Sequence, residues 1–158
     1  MFRLKDARKV EKDRRMTLGE TLEVEAAETS AHAPAVPALE RARGEVRVAI
    51  RHRGGASRLR TLYQSGSAKV RLPRVAAGAP PEAVLLNTAG GLTGGDRMRW
   101  TVEVEANAAA LVTSQAAERV YRRSSGVAEV ETTLTVGPRG RLDWLPQETI
   151  VFDRSALS

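Results

Sequence analysis

Hydrophobic and polar residues alternate with a period of two along much of the chain after residue 43. After Gly44, alternate positions are apolar up to Ile50 and continue through His52, while the positions between them are mostly charged. The clearest alternation spans residues 98–106, where Met98 and Trp100 begin the apolar face. Because successive side chains of a strand point to opposite faces, this period predicts strands buried on one side.

Shorter extended segments separated by turn residues fill most of the remaining sequence. Residues 73–81 form a loop rich in Ala, Gly and Pro, and residues 115–122 fit either a helical turn or a strand. No segment has a convincing core-helix pattern. Nine or ten short strands with frequent turns predict an all-β fold, either a multi-stranded sandwich, a barrel or a β-helical architecture, with few or no helices. The additional predicted strands are 59–63, 69–72, 83–87, 108–113, 130–136, 141–145 and 148–152.

The first 42 residues differ from this pattern. They alternate blocks of charge, contain Pro34 and Pro37, and show no sustained apolar period. We therefore predict a disordered charged leader over 1–42 and a β domain over 43–158, and translation starting at Met16 or later is a second hypothesis. No run reaches signal-peptide or membrane-spanning length, so we expect a soluble, cytoplasmic protein without membrane association.

Composition narrows the possible functions. The 158 residues suit one domain, and they contain no cysteine, which excludes disulfides, thiolate metal sites and a cysteine nucleophile. The net charge is +6, but the basic excess lies in residues 1–15 and 41–74. One alternative is therefore a basic β-rich nucleic-acid-binding module. It would use Arg47, Arg51, Arg53, Arg58 and Arg60, although no stacking aromatic residues are interleaved with them.

The glycine-rich run over 89–96 does not have the spacing of a phosphate-binding loop. It lacks the Lys-Ser or Lys-Thr of a Walker loop, and a strand follows it. We expect its glycines to supply positive φ angles in a tight connection between strands. Asp96, which follows them, would either cap this turn or face a polar channel.

Two polar groups follow later in the chain. Residues 115–123 favour a solvated, salt-bridged face, whereas residues 144–150 combine an aromatic, a proline and a Gln-Glu pair typical of a packed corner. Glu148 would bond to backbone or present its carboxylate to a partner or cation. His32 and His52 lie in no catalytic arrangement, so we predict a non-enzyme whose metal contacts are labile and use oxygen atoms.

Three segments in order resemble the UreD (also called UreH) family of urease accessory proteins. They are Leu85-Leu-Asn-Thr-Ala-Gly-Gly-Leu-Thr-Gly-Gly-Asp96, Thr113-Ser-Gln-Ala-Ala-Glu-Arg-Val-Tyr-Arg122 and Leu142-Asp-Trp-Leu-Pro-Gln-Glu-Thr-Ile-Val-Phe-Asp153. The resemblance covers residues 43–158.

The resemblance implies a partly β-helical, cytoplasmic maturation factor that acts with UreF and the GTPase UreG on the urease apoprotein. It also implies that nickel passes through an internal channel and that no cofactor is bound tightly. Within the matching segments we select Asp96, Glu118, Asp143 and Glu148 as transient nickel contacts, and no catalytic residue.

Members of the family continue well beyond the position of Asp153. We therefore expect this chain to hold the N-terminal part of the fold and to be incomplete at its C-terminus. A β architecture cut between strands exposes unpaired backbone groups and apolar side chains. Accordingly, we predict that the isolated chain is poorly soluble or partly unfolded.

Overall fold

A computed structural model of the chain describes residues 40–158. This part contains no helix and therefore no helix able to span a membrane, and the predicted all-β class is confirmed. The predicted leader lies outside the described residues except for its last three. The ten strands are β1 (Arg43–Arg53), β2 (Ala56–Gly66), β3 (Ala68–Arg71), β4 (Glu82–Asn87), β5 (Arg97–Val104), β6 (Ala109–Ser114), β7 (Glu118–Val120), β8 (Glu129–Val136), β9 (Arg141–Leu145) and β10 (Thr149–Val151).

The strands form two four-stranded sheets and one two-stranded sheet. The first sheet has the order β2-β1-β5-β8, the second β3-β4-β6-β9, and the third consists of β7 and β10. Only the β1–β2 and β3–β4 pairs are antiparallel. All other strand pairs are parallel, so the chain must travel through the other sheets before it returns beside its earlier strand.

This connectivity makes successive coils of a β-helix. We call β5, β6 and β7 the middle coil, and β8, β9 and β10 the outer coil. Each outer-coil strand lies parallel to its middle-coil equivalent. Residues 32 positions apart therefore meet: Arg97 bonds to the side chain of Glu129, and the hydroxyl of Thr113 donates to the backbone carbonyl of Leu145. Of the three architectures predicted, the β-helical one is observed.

The core lies inside the coils. Val102, Val104, Val112 and Val120 of the middle coil are completely buried. Val46, Val48 and Ile50 of β1 cover the same interior from the neighbouring strand. Because each such side chain contributes about 1.5–3 kcal/mol when removed from water, stacking of coils is the main stabilising interaction.

The predicted strands agree with these elements, with two refinements. Residues 115–122, which fitted a helical turn or a strand, contain the short strand β7. His52 continues the alternation of β1 but is exposed. The reason is that the parallel partner β5 ends at Val104, opposite Ile50, so β1 and β2 extend beyond the sheet as a hairpin.

Candidate functional site

A cavity of about 420 Å³, partly open to solvent, is lined by residues of all three sheets. Its apolar wall includes Trp100 and Trp144, which come from the middle and outer coils. Its polar wall includes Asn87, Ser114, Gln115, Glu118 and Gln147. The cavity is therefore a mainly apolar space with one polar wall, formed by residues of three successive coils.

Glu118 supplies the one carboxylate among the described residues that line this cavity. It lies on β7 two positions before the buried Val120, so both side chains share the inward face. Asn87 donates through Nδ2 to Oε1 and Oε2 of Glu118, at 3.1 and 3.2 Å. Within residues 40–158, no cation lies within 4 Å of the Glu118 carboxylate, although Arg119 lines the same cavity and its backbone N–H donates to Oε1 of Glu118 at 3.1 Å.

Local hydrogen bonds hold Asn87 in position. Its Nδ2 also donates to the carbonyl of Gly91 at 3.3 Å, and its Oδ1 accepts the N–H of Ala89 at 2.9 Å. Asn87 ends β4 just before the glycine-rich turn, which fixes the amide against the cavity wall. The Glu118 carboxylate is consequently oriented by a side chain from the preceding coil.

Two corners of the chain, at residues 114–118 and 144–150, lie against each other and complete the polar wall of the cavity. The N–H of Gln147 donates to Oγ of Ser114 at 2.9 Å, and the N–H of Glu118 donates to the carbonyl of Glu148 at 3.0 Å. The corner predicted over 144–150 is thus held to residues 114–118 by hydrogen bonds, but it is not the packed corner expected, because residues 145–150 are exposed. Together the corners place hydroxyl, amide and carboxylate oxygens around one space, a donor set suited to hard or borderline cations.

Asp96 has a different role from Glu118. It is the only buried charged residue of the described part, with 5% exposure. Its Oδ1 accepts the N–H of Ala42 and its Oδ2 accepts the N–H of Thr93, both at 2.8 Å. Of the two roles predicted for it, the structure shows the cap of the glycine-rich turn.

The glycine-rich turn itself is a close contact between coils. Gly90, Gly91 and Gly95 have φ angles of 78°, 147° and 92°, as expected from the sequence. A Cβ on Gly91 would overlap the ring of Tyr121, and one on Gly94 would overlap the carbonyl of Ser125. The glycines therefore allow the turn to pack tightly against the following coil.

Asp143 and Glu148 lie away from the cavity oxygens. Asp143 pairs in register with Leu111 and alternates with the inward-facing Trp144, so it lies on the outer face. It accepts two hydrogen bonds from Arg141 at 3.0 and 2.8 Å, and these bonds raise the pKa of Arg141 above its ordinary value. Glu148 is exposed, and the hydrogen bond it accepts is at its backbone carbonyl.

The four selected residues therefore do not form one site. No group of three or more His, Cys, Asp or Glu residues within 40–158 is arranged to hold a metal ion. Glu118 was also predicted within a solvated polar face. Its neighbours Arg119 and Arg122 are exposed as expected, but the side chain of Glu118 turns inward.

Sequence reasoning missed Asn87, Ser114 and Gln147 as cavity residues. A signal was present, because Asn87 and Glu118 are 31 residues apart and each belongs to one of the recognised segments. Spacing close to the length of one coil places residues beside each other in a β-helix.

The profile of the family described as UreD urease accessory protein matches residues 42–158, nearly the whole described part. The chain belongs to the UreD family. It is 57% identical over 122 residues to the urease accessory protein UreD of Mesorhizobium japonicum. It is 56% identical over 118 residues to that of Rhizobium leguminosarum bv. trifolii and 48% identical over 120 residues to that of Brucella suis.

These matches cover 75–77% of this chain and 43% of each UreD relative. The chain thus spans less than half the length of these relatives. The cavity residues Asn87, Glu118 and Gln147 all fall within the part matched by the UreD family profile.

Proposed function

We propose that the chain forms the part of a non-enzymatic urease maturation protein through which nickel passes on its way to the urease apoprotein. In this proposal it acts in the cytoplasm with UreF and the GTPase UreG, and nickel is cargo in transit. The family membership supports a role in urease maturation. The observation that carries the nickel step is the carboxylate of Glu118, the one carboxylate among the described residues that line this cavity.

The donor set favours transit over storage. Glu118 offers a single carboxylate, and the other cavity oxygens belong to neutral amides and hydroxyls. Late transition metals bind more tightly to imidazole or thiolate ligands, none of which line this cavity. A hydrated nickel ion would therefore meet one carboxylate, the cation of Arg119 on the same lining and several weak donors, which allows it to enter and leave.

The hydrogen bonds of Glu118 fit the same role. Asn87 contacts both carboxylate oxygens of Glu118 through one amide group, and the N–H of Arg119 donates to Oε1 at 3.1 Å, so the carboxylate is oriented at the cavity wall. Asp96 differs, since it is buried and both of its oxygens accept a backbone N–H, whereas only Oε1 of Glu118 does so. We accordingly assign the cargo contact to Glu118 and a structural role to Asp96.

The test is urease activation in cells that express the urease apoprotein, UreF, UreG and this chain. Glu118→Gln removes the charge but keeps an oxygen that can accept from Asn87, so the fold should be retained. Asp143→Asn is the matched control, because it neutralises a carboxylate on the outer face. Loss of one charged ligand should lower urease activity and nickel content by roughly tenfold, as second-shell and ligand changes at metal sites do.

Equal activation by Glu118→Gln and by the wild-type chain would refute the nickel contact. Failure of the wild-type chain to raise urease activity above that of cells lacking it would refute the maturation role of this chain. A loss of the same size in Asp143→Asn would show that the effect is not specific to the cavity.

A further inference from the structure

The β1–β2 hairpin carries a cluster of arginines where it extends beyond the first sheet. Gly54 and Gly55, with φ angles of 61° and 74°, make the tight turn. Arg51 and Arg53 are two positions apart on β1 and share a face, and Arg58 on β2 pairs directly opposite Arg51. We call Arg51, Arg53 and Arg58 the arginine tip.

The carboxylates closest in the fold to the arginine tip are already engaged by another residue. The register of β1 and β2 shifts between Ala49 and Ile50, which leaves Arg60 as the extra residue of a bulge. Arg60 forms ion pairs with both Glu103 and Glu105. Within residues 40–158, no carboxylate lies within 4 Å of any arginine of the tip.

The arginine tip destabilises the folded chain unless an anion is bound. Like charges directly opposite on paired strands repel each other, and Arg51 faces Arg58. In addition, the Nε of Arg51 is buried and has no hydrogen-bond acceptor. Ser57 accepts the N–H of Ala109 at 2.8 Å, so the hairpin is fixed to the second sheet and its charges are held in place.

The surroundings identify the kind of anion. The rest of this sheet face contains paired charges of both signs, including Glu45 with Arg47 and Arg99 with Glu131. These pairs separate the hairpin tip from Arg43 at the other end of β1, so the uncompensated positive charge does not form the long continuous stripe that a phosphate backbone requires. Arg47, which stacks over the ring of Tyr63 at 5.5 Å, is likewise already engaged.

The free edge of β2 indicates the conformation of the ligand. Among the described residues, β2 has a strand partner only on its β1 side. Its backbone groups can bond to an added extended segment, and Arg58 would then form a cross-strand pair with an acidic residue of that segment. The side chains of Leu59, Leu62 and Tyr63 on the same strand are all exposed and offer apolar contact.

We propose that the arginine tip and the β2 edge bind an extended acidic segment of a partner protein. This surface is separate from the cavity of Glu118 and does not depend on nickel. The probe is a fluorescein-labelled deca-glutamate peptide, and binding to the 158-residue chain is followed by fluorescence anisotropy without urease or nickel. A labelled DNA duplex serves as the second probe.

The decisive comparison uses two triple variants with the same loss of charge. One carries Arg51→Gln, Arg53→Gln and Arg58→Gln, and the control carries Arg97→Gln, Arg99→Gln and Arg141→Gln, which removes arginines already paired with carboxylates. Each exposed charge pair that is lost should weaken binding about twofold. The tip variant should therefore bind the peptide about tenfold more weakly, and the affinity of the control should change much less. Circular dichroism checks both folds.

If the tip variant is not folded, Arg58→Gln alone replaces it, with an expected weakening of about twofold. Absence of peptide binding by the wild-type chain would overturn the proposal, as would equal weakening in both triple variants. Tighter binding of the DNA duplex through the same three arginines would also overturn it, in favour of a nucleic-acid surface. None of these results bears on the role of Glu118.

Discussion

The middle and outer coils have the same strand geometry but very different burial. Val102 and Val104 of β5 are completely buried, whereas Leu134 and Val136, their register partners on β8, are 40% and 46% exposed. In the third sheet, Val120 is completely buried and its partner Val151 is 59% exposed. Apolar residues alternate along both β5 and β8, although Thr132 interrupts the apolar face of β8.

The difference shows that a coil is buried by its neighbours on both sides. The middle coil is covered by β1 and β4 on one side and by the outer coil on the other. In the described part of the chain, only the isolated bridge between Ala128 and Leu157 adds to the far side of the outer coil. Sequence alternation therefore determines which face is apolar, while stacking determines whether that face is buried.

The largest expected difference in stability between the two coils comes from placing a charge at an inward-facing position. We expect Val102→Asp to destabilise the chain by about 4 kcal/mol or more, because an unpaired carboxylate would lie in a dry core. At the register partner, Leu134→Asp should cost less than about 1 kcal/mol, since water reaches that position. Urea denaturation followed by circular dichroism measures both, and equal losses would contradict the burial difference.

The exposed outer coil should also govern solubility. Its free strand edges and exposed apolar side chains favour edge-to-edge association. We expect the double variant Leu134→Lys and Val151→Lys to reduce aggregation severalfold, measured by light scattering at matched concentration. Lys substitution of Arg119, exposed on β7, serves as the control and should leave scattering unchanged. A wild-type chain that melts sharply as a monomer would contradict this prediction.

Removing the carboxylates of Asp96 and Asp143 should also reduce stability by different amounts, though the difference is smaller. Asp96→Ala would leave the N–H groups of Ala42 and Thr93 without their acceptor, at a cost of about 1–3 kcal/mol for each buried unsatisfied group. Asp143→Ala would break only an exposed pair with Arg141, which contributes little to stability. Thermal unfolding of the two variants tests this order, and a larger loss in Asp143→Ala would reverse it.

The smallest expected effect concerns the ion pairs that join the two coils. The hydrogen bond from Arg99 to Glu131 raises the pKa of Arg99 above its ordinary value, so on the alkaline side this pair's contribution is retained until the pH rises through that raised pKa. Because both side chains are exposed, Arg99→Gln should change the unfolding midpoint only slightly at low salt and not at all at high salt. A salt-independent loss would show instead that Arg99 contributes by packing.

The strands were predictable because their signal is local. Alternation around Val46 and Val102 gave the faces of β1 and β5, and the glycine and proline positions gave the turns. Stacking of the coils was not predictable from those patterns, because residues that meet across coils need not be alike. Trp100, for example, pairs in register with Thr132.

In the candidate site, too, local features were predictable and features that depend on coil stacking were not. The inward side of Leu142 and Trp144 implies that Asp143 faces outward, which alternation alone could have indicated. The cap made by Asp96 and the contact between Asn87 and Glu118 depend on turn geometry and on coil stacking. Only the folded coils distinguish the cavity carboxylate from the three carboxylates that do not face the cavity.

The most direct test of nickel passage is paramagnetic broadening by Ni²⁺ in the amide NMR spectrum of the chain. If nickel enters the cavity, signals of Asn87, Gln115 and Glu118 should broaden at lower Ni²⁺ concentration than those of Asp143 and Asp153, and Glu118→Gln should abolish this preference. Broadening confined to the exposed carboxylates, or unchanged in Glu118→Gln, would contradict a nickel path through the coils.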